Sequence, residues 1–159
     1  EAMHLFDLDV NQVKTVLHRE SIVHAMIKHQ SGALIQHSAP NDMHYSIEYA
    51  LYYPNQELDY EMNPSDLGTL HFEELSFVRF PLLQLAYDVA KQQGILPCVM
   101  NAANEAAVEL FLTEKISFLE ISSIVLSEVK NTINRPRESY QDLLQLDGEI
   151  KKKILSQYS

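Results

Sequence analysis

A single cysteine, Cys98, occurs in the 159 residues, so the chain cannot close an internal disulfide, and a reducing cytosol suits it. Only four glycines are present, Gly32, Gly68, Gly94 and Gly148, each isolated. With no glycine-rich loop to wrap a phosphate, dinucleotide binding by this stretch alone is not expected. Positive charge is also scarce: 12 Lys and Arg stand against 22 Asp and Glu, and a net charge of −10 repels nucleic acid and anionic membrane surfaces. The one basic cluster, Lys151-Lys152-Lys153, reads as a solvated helix face. No apolar run approaches the ~20 residues a bilayer-spanning helix needs, and no basic segment leads into an apolar one at the start. Neither a membrane span nor a secretory signal is expected.

What is there is ordinary globular material. A hydrophobic fraction of 46% and a charged fraction of 21% exclude the disordered class, and 159 residues fill one medium domain or two small ones. The opening residues, Glu1-Ala2-Met3-His4-Leu5-Phe6, have helical character without an initiator Met, a cap or a disordered lead-in. They are expected to be the end of a helix cut from something longer.

The stretch Leu17 to Met43 organises the chain. Two apolar runs rich in β-branched residues, Ile22 to Lys28 and Ala33 to His37, flank Gln30-Ser31-Gly32, which predicts a β-hairpin. A two-residue turn would put Val23, Ala25, Ile27 and Leu34 on one face, with Ile22, Met26, Ala33 and Ile35 on the other. Apolar residues on both faces predict cover on both, by helices on one side and by a partner subunit on the other.

Around the hairpin, Val13 to Leu17 reads as a short strand, and Asn41 or Asp42 caps a helix running to about Tyr52 with Met43, Ile47, Ala50 and Leu51 on one face. Residues 53–80 are punctuated by Pro54, Asn55, Asn63, Pro64, Ser65 and Gly68, with only Leu70-His71-Phe72 suggesting a strand; this reads as a surface linker. Helices follow. Pro81 opens one that ends near Gly94; Pro97 opens a second carrying Val99, Ala103, Ala106, Ala107, Leu110 and Phe111. Ser117-Phe118-Leu119-Glu120 has capping-box spacing for a third, and Asp147 is expected to cap a last helix that buries Ile150, Ile154, Leu155 and Tyr158. The expected division is therefore 1–52, a linker at 53–80, and a helical bundle at 81–159, an α+β arrangement.

The polar residues give few chemical leads. His18, His24, His29 and His37 lie close in sequence, but none has the spacing of a zincin pair and there is no second cysteine, so no metal site is expected. His18, Glu20 and Ser21 lack the strand-turn-helix elbow of a serine hydrolase; Ser21 reads as a turn residue. Asn101 and Asn104, three apart on one helix face, predict specific hydrogen bonds that tie this helix to the linker or to the neighbouring domain.

Several runs then occur in a telling order: Glu-Ala-x-x-Leu-Phe at 1–6, Leu-His-Arg-Glu-Ser-Ile-Val-His at 17–24, Asp42-Met43, Arg79-Phe80-Pro81-Leu82 with Leu85-Ala86-Tyr87, and Asn-Ala-Ala-Asn-Glu at 101–105. Together they resemble the C-terminal half of the 1-deoxy-D-xylulose 5-phosphate reductoisomerases, from end to end. That resemblance implies the end of an α/β catalytic and dimerisation domain at 1–52, then the linker, then a small C-terminal α-helical bundle. It implies NADPH and Mg2+ or Mn2+ as cofactors of the full-length enzyme, which rearranges the carbon skeleton of its substrate and reduces the resulting aldehyde to 2-C-methyl-D-erythritol 4-phosphate. The family's NADPH loop, its Asp-Ser-Glu metal run and its Asn-Lys-Gly-Leu-Glu run would lie before Glu1. Neither a cofactor nor a metal is thus expected to bind here, and no catalytic residue is assigned. The residues carried over are Ser21, His24 and Met43, as lining of the substrate pocket. Gln36-His37-Ser38-Ala39-Pro40-Asn41 and His44-Tyr45-Ser46 depart from the family's usual pattern. Implied partners are the N-terminal half and a second copy, joined through the hairpin-containing domain, in the cytoplasm. The alternative is a free-standing, non-catalytic fragment with a dimerising or binding role.

Overall fold

The computed structural model describes residues 2–55, 62–137 and 139–158. They form six helices and four short strands, the α+β class expected. Two compact units emerge: Glu1–Lys14 with Ser76–Ser159, and Thr15–Leu75. The cuts differ from the sequence boundaries at 52/53 and 80/81, and both differences have a local cause. The Tyr87 hydroxyl donates to the Val13 carbonyl at 3.1 Å, and Val10 is buried, so residues before 15 join the helices. Downstream, a strand at Glu73–Glu74 returns to pair with Val16–Leu17, which carries the second unit on to Leu75.

The first unit begins with α1 (Ala2–Phe6), followed by a 3-10 turn at Val10–Gln12 that Asp9 caps. That turn is why the strand expected from Val13 shortens to β1 (Val16–Leu17). The bundle consists of α3 (Pro81–Gln92), α4 (Leu96–Leu112), α5 (Phe118–Asn131) and α6 (Tyr140–Ser156). Helix α4 is its centre, packing against α3, α5 and α6. Ala102, Ala103, Ala106 and Ala107 are at most 1% exposed, and their small side chains allow the close approach that the sequence suggested. Val99, Leu110, Val125, Ile150 and Ile154 fill the core between them. Phe111, by contrast, lies at the rim against Phe118, with ring centroids 5.7 Å apart, and Tyr158 is exposed rather than buried.

The ends of these helices follow local chemistry. Ser117 and Glu120 form the expected capping box. In α6 the cap is Ser139, paired with Asp142, rather than Asp147; Asp147 lies inside the helix and holds Lys151 at 2.8 Å. The Ser-x-x-Asp spacing satisfies free backbone N–H groups two turns earlier than Asp147 does. After α3, Gly94 adopts φ +66°, and an added Cβ would lie 2.6 Å from the Arg135 carbonyl, which also accepts from the Ile95 N–H at 3.0 Å. A glycine is required there by both conformation and space.

In the second unit β2 (Val23–Lys28) pairs antiparallel with β3 (Leu34–Ser38), and Ile27 faces Ile35. The turn holds three residues, not two. Gly32 N–H donates to the His29 carbonyl at 2.9 Å, His29 N–H donates to the Ala33 carbonyl at 2.8 Å, and Gly32 takes φ +87°. This is a tight turn closed by a left-handed glycine, and the extra residue shifts the register by one. Ile27 therefore shares its face with Ile35, while Leu34 moves to the opposite one. Both faces are exposed: Ile27 at 66%, Leu34 at 60% and Ile35 at 59%. The helical cover expected on one face is absent from the described residues. Asp42 caps α2 (Met43–Tyr52), accepting from the His44 N–H at 2.9 Å. β4 (Glu73–Glu74) falls just after the Leu70–Phe72 stretch in which a strand was expected.

Candidate functional site

Ser21 and His24 lie at the open end of the hairpin, where the start of β2 is beside the end of β3, and Met43 follows β3 by five residues. Ser21 lies just before β2 with φ +53°, a left-handed conformation unusual for a residue with a Cβ. His24 stands at the irregularity between Val23 and Ala25. Its Nε2 lies 3.1 Å from the Ala39 carbonyl, which can only accept, so Nε2 donates this bond. The Ala39 N–H returns to the Ile22 carbonyl at 3.0 Å, closing the two strands together. Met43 is the first residue of α2 and is 71% exposed, an apolar side chain held out by the Asp42 cap.

His24 and His37 approach with ring centroids 6.3 Å apart, but among the described residues no group of three or more His, Cys, Asp or Glu is arranged to hold a metal ion. Nor does any described helix have the length and apolarity to cross a membrane.

A second cluster lies where β1 meets β4, and the sequence reading missed it. His71 Nδ1 donates to Glu20 Oε1 at 2.5 Å, and the His71 N–H donates to Oε2 at 3.3 Å. His18 Nδ1 lies 3.0 Å from Glu20 Oε2 and 2.9 Å from the His71 carbonyl. Both partners accept, so Nδ1 bears the proton; Nε2 is buried with no hydrogen-bond partner. The His18 ring stacks on Phe72 at 4.5 Å. The hydrogen bond from His71 is the first cause holding the Glu20 carboxyl down at about 2. The only sequence signal for this cluster was the strand hint at Leu70-His71-Phe72, which lies some fifty residues from its partner.

The Asn101 amide also differs from expectation. It donates to Glu105 in its own helix at 2.8 Å, and Glu105 pairs with Lys151 of α6, so the tie runs to α6 within the bundle. Lys151, between Asp147 and Glu105, is pushed up to about 12, chiefly by its hydrogen bond to Asp147.

With this geometry in view, comparison with known proteins is informative. Residues 39–153 match the family described as DXP reductoisomerase C-terminal domain. A 1-deoxy-D-xylulose 5-phosphate reductoisomerase of Caldanaerobacter subterraneus is 38% identical over 161 residues, covering 99% of this chain and 42% of that protein. One from an Exiguobacterium species is 38% identical over 157 residues, covering 97% and 41%. Among solved structures, the reductoisomerase from Zymomonas mobilis in complex with NADPH superposes with TM-score 0.87 at 31% identity, over 99% of this chain and 42% of that one. Another, a reductoisomerase with fosmidomycin and magnesium, gives TM-score 0.85 at 30% identity, again over 99% and 42%. The chain thus spans about 42% of the length of these relatives. It belongs to the DXP reductoisomerase family, in the part that carries that family's C-terminal domain.

Proposed function

We propose that this chain serves as the C-terminal portion of an NADPH- and divalent-metal-dependent reductoisomerase that converts 1-deoxy-D-xylulose 5-phosphate to 2-C-methyl-D-erythritol 4-phosphate in the cytoplasm. The observation that carries the reading is the end-to-end likeness to reductoisomerases: 99% of the chain matches both in sequence and in backbone. In this reading residues 1–52 close the catalytic domain, 53–80 link, and 81–159 form the C-terminal bundle. In this reading NADPH and the metal are held outside these residues, since the glycine-rich loop and the metal-binding runs that the resemblance implies have no counterpart in this sequence.

Ser21, His24 and Met43 line the substrate pocket at the open end of the hairpin. Ser21 offers a hydroxyl from a left-handed turn, and His24 offers its ring with Nε2 anchored on the Ala39 carbonyl. Met43 supplies an apolar wall to the substrate backbone. The exposed hairpin faces support a homodimer through this domain. The isolated chain has no turnover. A chimera in which this chain replaces the matching 42% of the Caldanaerobacter relative tests the reading. The chimera is expected to oxidise NADPH only when the sugar phosphate is present, and His24→Ala in it to raise KM. A folded chimera without such turnover would overturn the proposal.

A further inference from the structure

Ser21 is a pivot between two separate sheets: β1 pairs with β4 before it, and β2 pairs with β3 after it. Its left-handed φ of +53° has a cost for any residue with a Cβ, so something must hold it. On the far side the chain is held by the Ile22 carbonyl, bonded to the Ala39 N–H, and by buried Val23. On the near side the backbone ladder is short, only Val16 with Glu74 and Leu17 with Glu73. Side chains extend it. His18 stacks on Phe72 and donates to the His71 carbonyl, Arg19 Nε reaches Glu73 Oε1 at 3.0 Å, and Glu20 joins His18 to His71 with both carboxylate oxygens. Glu20 is the residue immediately before the pivot.

We propose that Glu20 is a positioning residue: by joining His18 and His71 it clasps the 71–73 segment onto β1, holds Ser21 in its left-handed conformation, and sets where the Ser21 hydroxyl stands at the rim of the site. The conformational part stands on the contacts alone; the placing of the hydroxyl rests on the substrate-lining role proposed for Ser21.

A double-mutant cycle in the 159-residue chain tests it, read by hydrogen exchange at the Ala39 amide, whose bond to Ile22 lies just beyond the pivot. Ser21→Gly removes the left-handed penalty and is expected to slow exchange about two- to fivefold. In a Glu20→Ala background the pivot relaxes, and the same substitution is expected to give no gain. Glu20→Gln keeps an acceptor for His71 and should restore most of it. An equal gain from Ser21→Gly with and without Glu20 would overturn the proposal. Should Glu20→Ala leave the hairpin without measurable protection, His71→Ala removes only the far end of the contact and provides the same cycle. In the chimera, Glu20→Ala is expected to raise KM for the sugar phosphate with kcat held. Coupling in the exchange cycle with an unchanged KM would keep the clasp and remove Ser21 from the substrate rim, a failure of the earlier reading rather than of this one.

Discussion

The two units are held together by different forces. In the helical unit a contiguous set from Val89 to Ile154 is buried, with Val99, Ala102, Ala103, Ala107 and Val125 fully so. Among the described residues from 15 to 75 only Val23 is a buried hydrophobic, while Ile27, Leu34, Ile35, Met43, Ile47 and Leu51 are all more than half exposed. Burial of apolar area stabilises at roughly 25 cal/mol per Å2, so the bundle holds itself. The hairpin unit relies on a ladder, a glycine turn and the polar clasp at Glu20. The lesson is that one part of this chain is a finished core, and the other is a shaped surface.

The largest effect should come from breaking the finished part. Leu110 is 1% exposed and lies between α4 and its neighbours, so Leu110→Ala is expected to cost about 3 kcal/mol, from lost transfer energy plus the cavity left behind. Urea denaturation followed by helix signal measures it. A loss below about 1 kcal/mol would mean that the alanine-rich core collapses around the gap, and the contrast between the units would narrow.

A smaller effect separates the units by pH. Glu20 sits at about 2 in the folded chain against an ordinary 4.5, so its contribution is fully present above pH 4.5 and is lost as pH falls from there toward 2. Glu105 and Glu120 are also held low, by Lys151 and by the Ser117 backbone respectively, and they weaken in the same direction. Behind them, however, the bundle has its dry core. Amide exchange during an acid titration is therefore expected to show the β1–β4 contacts opening between pH 4.5 and 2 while α4 stays protected. Simultaneous loss of both would show that the clasp is no weaker than the core.

What was legible in the sequence follows the same divide. Helix periodicity, Pro81, the Ser117–Glu120 box and the small residues of α4 are local signals backed by burial, and each element appears where its residues put it. The cap of α6 was missed because Asp147 and Ser139 are both good N-cap residues, and only the reach of Ser139 to Asp142 decides between them. The hairpin was legible, but its register was not: Ser31-Gly32 fits a two-residue turn as well as the end of a three-residue one, and one residue exchanges the faces. The clasp was invisible because Glu20 and His71 are 51 residues apart, and nothing in either local pattern announces the other. The run His-Arg-Glu-Ser singled out Ser21 in the sequence, whereas its left-handed backbone and the contact of His24 Nε2 with the Ala39 carbonyl come only from the fold.

The smallest expected effect sharpens the comparison most. Ile27 and Ile35 face one another across the hairpin and are exposed at 66% and 59%. Replacing both with Ser removes apolar area that already meets water, so the stability of this chain should change by no more than about 0.5 kcal/mol, apart from a modest loss of strand propensity. In the chimera the same pair of substitutions should act differently. If a second copy covers this face, the dimer's sedimentation should shift toward monomer at micromolar concentration, because an apolar patch removed from water on association would be gone. A loss of 2 kcal/mol or more in the chain alone would make these isoleucines core residues after all. A neutral chain with a weakened dimer would locate their purpose in assembly, where both faces of a strand pair can be apolar without cost to the folded state.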